Sequence, residues 1–147
     1  MRLERSATID QPVDRIFDYV WTPENDPRWV PASLSHEMLS PASMRVGSIT
    51  EEDVGFLGRP MCYAWEITQY EPPTVLALQS ISDPIRATIR VLLESLDGAP
   101  TKVILVAEVQ LRGVYKRMEP VMRWVAQRQF GSQLRTLKNL LESEAFR

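Results

Sequence analysis

"MCYAWEITQYEPPTVLALQS", residues 61–80, decides the fold. Its first half alternates, with Met61, Tyr63, Trp65 and Ile67 on one side and Cys62, Ala64, Glu66 and Thr68 on the other. A period of two is that of a strand with one buried face. "EPP" ends that strand, because proline cannot donate to a ladder. "VLALQS" then resumes the alternation, with Leu76 and Leu78 sharing a face. Strand, turn and strand in this pattern predict an antiparallel meander with one wet side.

The same period continues outward. Asp83 and Pro84 mark a turn, and "IRATIRVLLESL" sets Ala87, Ile89, Val91 and Leu93 against Arg86, Thr88 and Arg90. "DGAP" is the next turn, and "TKVILVAEVQL" sets Val103, Leu105, Ala107, Val109 and Leu111 against Lys102, Ile104, Glu108 and Gln110. Upstream, residues 34–39 and 47–56 read as strands, the latter closed by the turn "GFLGRP", and residues 3–9 as a first strand.

The period changes at both ends. In "DQPVDRIFDYV" Asp10 is expected to cap a short helix, with Pro12 at an early helical position. Val13, Ile16, Phe17 and Val20 make one helical stripe. "VWTPENDPRWVP", residues 20–31, is too rich in breakers for a long helix or a strand, yet it carries Trp21 and Trp29. Residues 115–144 read as one long helix in which Pro120 either starts the helix proper or bends it. Its apolar stripe changes face near Gly131, from Met118, Met122, Val125 and Gln129 to Leu134, Leu137 and Leu141.

The chain has 147 residues, the size of one ordinary domain, and shows no repeat or linker, so a single domain over 1–147 is expected. Net charge of -2 speaks against a general nucleic-acid binder. One cysteine, Cys62, excludes an internal disulfide and a zinc site built on several thiolates. No apolar run is long enough for a transmembrane helix, and the first ten residues lack a signal core. A cytoplasmic location is the expectation.

An antiparallel sheet with one apolar face must be covered, and the last helix is the element long enough to do so. The expected class is α+β: a curved antiparallel sheet wrapped around a long C-terminal helix, with two short helices after the first strand and a gap under the helix's leading half. "IDQPVDRIFDYVWTPENDPRW", "VGS", "WEITQYEPP" and "LRTLKNLLE", in this order over nearly the whole chain, resemble the SRPBCC (START-like, helix-grip) superfamily. The branch is that of polyketide cyclase/dehydrase and lipid-transport proteins. The resemblance implies an apolar pocket between sheet and helix. It matches Trp29 to the tryptophan after a Pro-containing turn, Trp65 and Ile67 to the apolar pair before "YEPP", and Leu134, Leu137 and Leu140 to the leucines of the last helix. It transfers no catalytic residue. In such a fold the two short helices close one end of the pocket, so Trp29 is expected as a lid or wall, while Trp21 packs the first helix onto the sheet.

The expected ligand-binding set is Trp29, Met61, Tyr63, Trp65, Ile89, Met118, Met122, Val125 and Gln129: large rings and adaptable thioethers suited to a flat or flexible hydrophobic molecule. The competing account is that these side chains fill the space themselves. His36 shares a strand face with Leu34 and Met38 in this reading, and is a candidate acid or base at the pocket. The simpler account is a hydrogen-bonded or exposed strand histidine. Glu52 is the second candidate, against the plainer expectation of a solvated acidic strand at 50–54. "HEMLS" lacks the second histidine of the zinc-helix motif, the glycines form no phosphate loop, and no nucleophile elbow occurs. No metal, cofactor or catalytic set is therefore expected.

The first functional reading is a non-enzymatic binder or carrier of a small hydrophobic molecule. A cyclase or dehydratase using His36, Tyr63 or Glu52, with Gln129 orienting a carbonyl, remains open. So does an interaction module, monomeric or homodimeric, centred on Trp124 beside Arg117 and Arg128.

Overall fold

The structure is a computed structural model that describes residues 1–30, 33–39, 45–56, 59–81, 86–96 and 100–144. The turns read at "GFLGRP", Asp83–Pro84 and "DGAP" lie wholly or partly outside these residues. Seven strands are described: β1 (Arg2–Ile9), β2 (Ser33–Met38), β3 (Ile49–Phe56), β4 (Arg59–Glu71), β5 (Val75–Ser80), β6 (Arg86–Ser95) and β7 (Thr101–Gln110). They form one sheet in the order β1-β7-β6-β5-β4-β3-β2, antiparallel throughout. The chain thus runs as a meander from β2 to β7, and β1 completes the sheet beside β7.

Between β1 and β2 come α1 (Val13–Trp21), a single 3-10 turn (Pro23–Asn25) and α2 (Asp26–Trp29). The expected stripe of α1 is the buried one: Ile16, Phe17 and Val20 join the core and Val13 packs against it. Asp10 does not cap this helix. Pro12 stands at the N-cap in an extended conformation without a side-chain bond, and the Asp10 backbone N–H donates instead to Glu142 at 2.9 Å. Trp21 meets Tyr70 edge-on, ring centroids 6.5 Å apart, so it packs α1 onto the sheet as expected.

The C-terminal segment is not one helix. Gly113, at φ 61, turns the chain into the short α3 (Val114–Arg117), a conformation glycine reaches without a steric penalty. Met118 breaks the run (φ -89, ψ 3), and α4 spans Glu119–Glu144. Pro120 therefore sits in the first turn of α4, where its missing N–H costs no helical bond. The second half of α4 is fixed to β1. Leu134, Leu137 and Leu141 enter the core with Ile67, Leu76, Val91, Leu93, Val103 and Leu105. Lys138 Nζ donates to the Thr8 carbonyl at 2.8 Å and to Glu142 at 2.9 Å. At Gly131 the helix passes Arg5, whose Nη2 would lie 2.9 Å from an added Cβ.

One strand reading is corrected. β2 carries a register shift between Ser33 and Ser35. Such a bulge puts two residues opposite one and resets which side chains face inward. Ser33 and His36 both become buried, and Leu34, expected beside His36, is 58% exposed.

Candidate functional site: an apolar cavity with a buried polar end

Register explains how the site is assembled. In β3 and β4, Glu52 stands opposite Tyr63 and Thr50 opposite Trp65, and directly paired residues share a face. His36 on β2 stands opposite Glu52. Thr50, Glu52, Tyr63, Trp65 and His36 therefore converge on the concave side, toward α2 and α4.

Two cavities lie there. The larger, about 320 Å³, is lined by Tyr63, Trp65, Ile89, Met118, Met122, Val125 and Gln129 among apolar neighbours such as Leu3, Ala107, Val109 and Phe130. The smaller, about 120 Å³, is lined by Asp26, Trp29, His36, Glu52 and Gln133 among Val20, Leu76, Val91 and Leu105. Trp65, Ile89 and Phe130 border both, so one layer of side chains separates the spaces. Seven of the nine expected ligand-contact residues line the larger cavity; Trp29 lines only the smaller, and Met61 lines neither. The two candidate acid/base residues, His36 and Glu52, face the smaller one.

The inner end is a hydrogen-bonded cluster. His36 Nδ1 contacts Asp26 Oδ2 at 2.5 Å and His36 Nε2 contacts Thr50 Oγ1 at 2.7 Å. Glu52 Oε2 lies 3.7 Å from His36 Nδ1, while the Trp65 indole N–H donates to Glu52 Oε1 at 3.0 Å. The Trp29 N–H and the Ser33 hydroxyl are buried without a formed hydrogen bond, yet each favours the charged form of a neighbouring carboxylate, Asp26 and Glu52 respectively. Glu52 is only 7% exposed, so the expectation of a solvated acidic strand fails at this residue. The plain alternation of β3, which turns Glu52 inward, is the reason.

Burial shapes the electrostatics. It raises the Asp26 carboxyl above its ordinary value despite the opposing His36 contact. Burial likewise raises Glu52, against the pull of the His36 charge and the Ser33 and Trp65 donors. For His36 burial acts downward, but the bond and charge of Asp26, with the charge of Glu52, outweigh it and lift the imidazole above its usual range. All three groups thus hold protons more tightly than in water. Burial also raises the Tyr63 phenol, helped by Tyr115, which keeps it a neutral donor.

Asp26, His36 and Glu52 each offer one ligand atom, all within 4.8 Å of one another. A metal ion would have to open the bond between Nδ1 and Asp26, because both ring nitrogens already have protein partners. His36 has no nitrogen left for a guest.

Asp26, Thr50, Phe130 and Gln133 were not singled out by the sequence. Asp26 lies in "PENDPRW", where prolines dominate the reading, and its partner His36 is ten residues away across a chain reversal. Phe130 and Gln133 sit three apart on α4, a spacing that puts them on one helix face.

The family model for "Polyketide cyclase / dehydrase and lipid transport" matches residues 1–142. A comparison with curated proteins finds no match. Among solved structures, the chain resembles the Zhui aromatase/cyclase of Streptomyces sp. R1128 (TM-score 0.80, 13% identity, 99% of this chain and 97% of that one). It also resembles TTHA0849 of Thermus thermophilus (0.81, 15%, 98% and 100%). A third likeness is to the di-domain aromatase/cyclase BexL of the BE-7585A biosynthetic pathway (0.77, 17%), where 97% of this chain spans about half, 46%, of that one. At these identities the structural likeness establishes the fold, and the family model covers nearly the whole sequence. The chain belongs to the polyketide cyclase/dehydrase and lipid-transport family.

Proposed function

We propose that the chain binds a small, flat hydrophobic molecule of polyketide, aromatic or lipid character in the cavity beneath the first half of α4. The observation that carries this reading is the cavity itself: about 320 Å³ of space walled by Trp65, Ile89, Met118, Met122 and Phe130. That volume is at the lower end of the range of about 300–1,000 Å³ usual for ligand pockets. Methionines supply walls that adapt to a guest. Tyr63 and Gln129, which line the same space, would orient a polar edge. Native mass spectrometry of freshly purified protein, followed by titration with a panel of fatty acids and fused-ring phenols, tests it. Saturable binding that Met122→Trp abolishes by filling the space is expected. Equal binding by the filled variant would remove the cavity from the argument.

A second reading, cyclase- or dehydratase-type chemistry, is favoured by the buried cluster. Glu52 would be the group that transfers the proton: it lines the smaller cavity, and the Trp65 N–H holds one of its oxygens. Burial moves its carboxyl upward, in the direction of the neutral range where general acids and bases work best. In a dehydration, Glu52 would take the proton from the carbon beside a carbonyl. It would return that proton to the departing hydroxyl, leaving a carbon–carbon double bond and water. Turnover of a β-hydroxy ketone, lost in Glu52→Gln while ligand binding persists, is the expected outcome. Binding without turnover of any such substrate leaves the carrier reading in place and ends this one.

A further inference from the structure

The outer side of α4 carries an exposed apolar stripe. Val121 and Trp124 are 61% and 60% exposed and Val125 is 41% exposed. Spacings of three and four place them on one helix face. The Arg128 guanidinium lies 4.9 Å above the Trp124 ring. Val121 and Val125 also line the larger cavity, so this exposed stripe is the cavity's outer rim.

Charge is segregated to the same place. Residues 112–131 contain Arg112, Lys116, Arg117, Arg123 and Arg128 against one acid, Glu119, a net of +4; with -2 for the whole chain, the remainder carries -6. Arg123 pairs with Glu119 at 3.6 Å and donates to the Arg2 carbonyl, which ties that cation to the protein. Arg112, Lys116, Arg117 and Arg128 are exposed in the same segment, Arg128 directly over Trp124.

We infer that this face docks on a membrane surface containing anionic lipids. An exposed tryptophan has an apolar body and a polar N–H, the combination that sits at the level of lipid headgroups. Each basic residue held near an anionic surface adds attraction that salt screens. The remaining acidic surface would be repelled, and this fixes the orientation. The rim of the cavity then meets the bilayer, so an apolar guest passes between lipid and protein with little exposure to water. The docking itself does not require a bound guest, so it can be tested apart from the ligand-binding reading.

The experiment is flotation with vesicles of phosphatidylcholine alone and with about 30% phosphatidylserine, at low and high salt. Binding to the anionic vesicles only, weakened by salt, is expected. The exposed substitutions Trp124→Ala and Arg117→Glu with Arg128→Glu should each lower partitioning about tenfold or more, with urea midpoints unchanged. Equal binding to neutral vesicles, no binding, or binding insensitive to both variants would overturn the inference. A concentration-dependent dimer in sedimentation that Trp124→Ala dissolves would assign the face to a second copy of the chain instead.

Discussion

The indole N–H of Trp65 donates to Glu52 Oε1 over 3.0 Å, so the ring that divides the two cavities also holds the carboxylate of the inner one. Trp65→Phe keeps an aromatic wall and removes the donor. It should cost about 1–3 kcal/mol, the range for losing a bond to a buried charged group, and push the Glu52 carboxyl higher still. Urea denaturation measures the first effect, and NMR titration of the labelled glutamate carboxyl the second. An unmoved Glu52 titration would mean that the bond does not form in solution.

Thr50 is fully buried and supports the far side of His36. Thr50→Val is nearly isosteric but leaves the Nε2 atom without its partner, at a cost of about 1–3 kcal/mol. Thr50→Ser should recover most of the loss. Denaturation midpoints of the three proteins decide it: a Val variant as stable as wild type, with the loss confined to Ser, would implicate methyl packing rather than the hydroxyl.

The cluster also makes a pH prediction. Asp26, His36 and Glu52 are all raised in the folded chain, so folding takes up protons and their contribution to stability falls as pH rises. For His36 it is fully present below the ordinary value of 6.5 and disappears as pH climbs through the higher folded value. The carboxyls act in the same direction, from below their ordinary 3.8 and 4.5 upward through their raised values. The stability difference between wild type and His36→Asn should therefore shrink as pH rises from the ordinary 6.5 through the raised folded value. A difference that stays flat across that range contradicts the pairing with Asp26.

The two halves of α4 should respond differently to truncation. Leu137 is fully buried in the core, and Leu137→Ala should cost about 2–5 kcal/mol. Met122 borders open space, so Met122→Ala enlarges an existing void, costs distinctly less and weakens ligand binding. Equal losses from the two would mean that the cavity closes in solution.

Much of this was legible in the sequence. Period-two alternation placed β4 to β7 and their buried faces, and the stripe of Val13, Ile16, Phe17 and Val20 identified the face of α1. The shift of apolar residues near Gly131 anticipated the division of α4 between core and cavity. Two local features broke the extrapolation. The irregularity between Ser33 and Ser35 reversed Leu34, because a bulge is set by the pairing of two strands and leaves no mark in one. The halt at Met118 separated α3 from α4. The Asp26–His36–Glu52 cluster was half visible: His36 and Glu52 were candidates on separate strands, but Asp26 becomes their neighbour only when the 3-10 turn folds α2 back over β2. Contacts made across a reversal have no periodicity to reveal them.

Trp65 belongs to the wall of one cavity and, through its N–H, to the proton-holding cluster of the other. Any guest that shifts its ring changes how tightly Glu52 keeps its proton, and by reciprocity the charge on Glu52 changes how well the guest is held. Binding is then accompanied by proton release or uptake, and the heat measured in calorimetry varies with the ionisation enthalpy of the buffer. A fit in phosphate and a fit in Tris would give different enthalpies for the same complex, and their difference would count the protons exchanged.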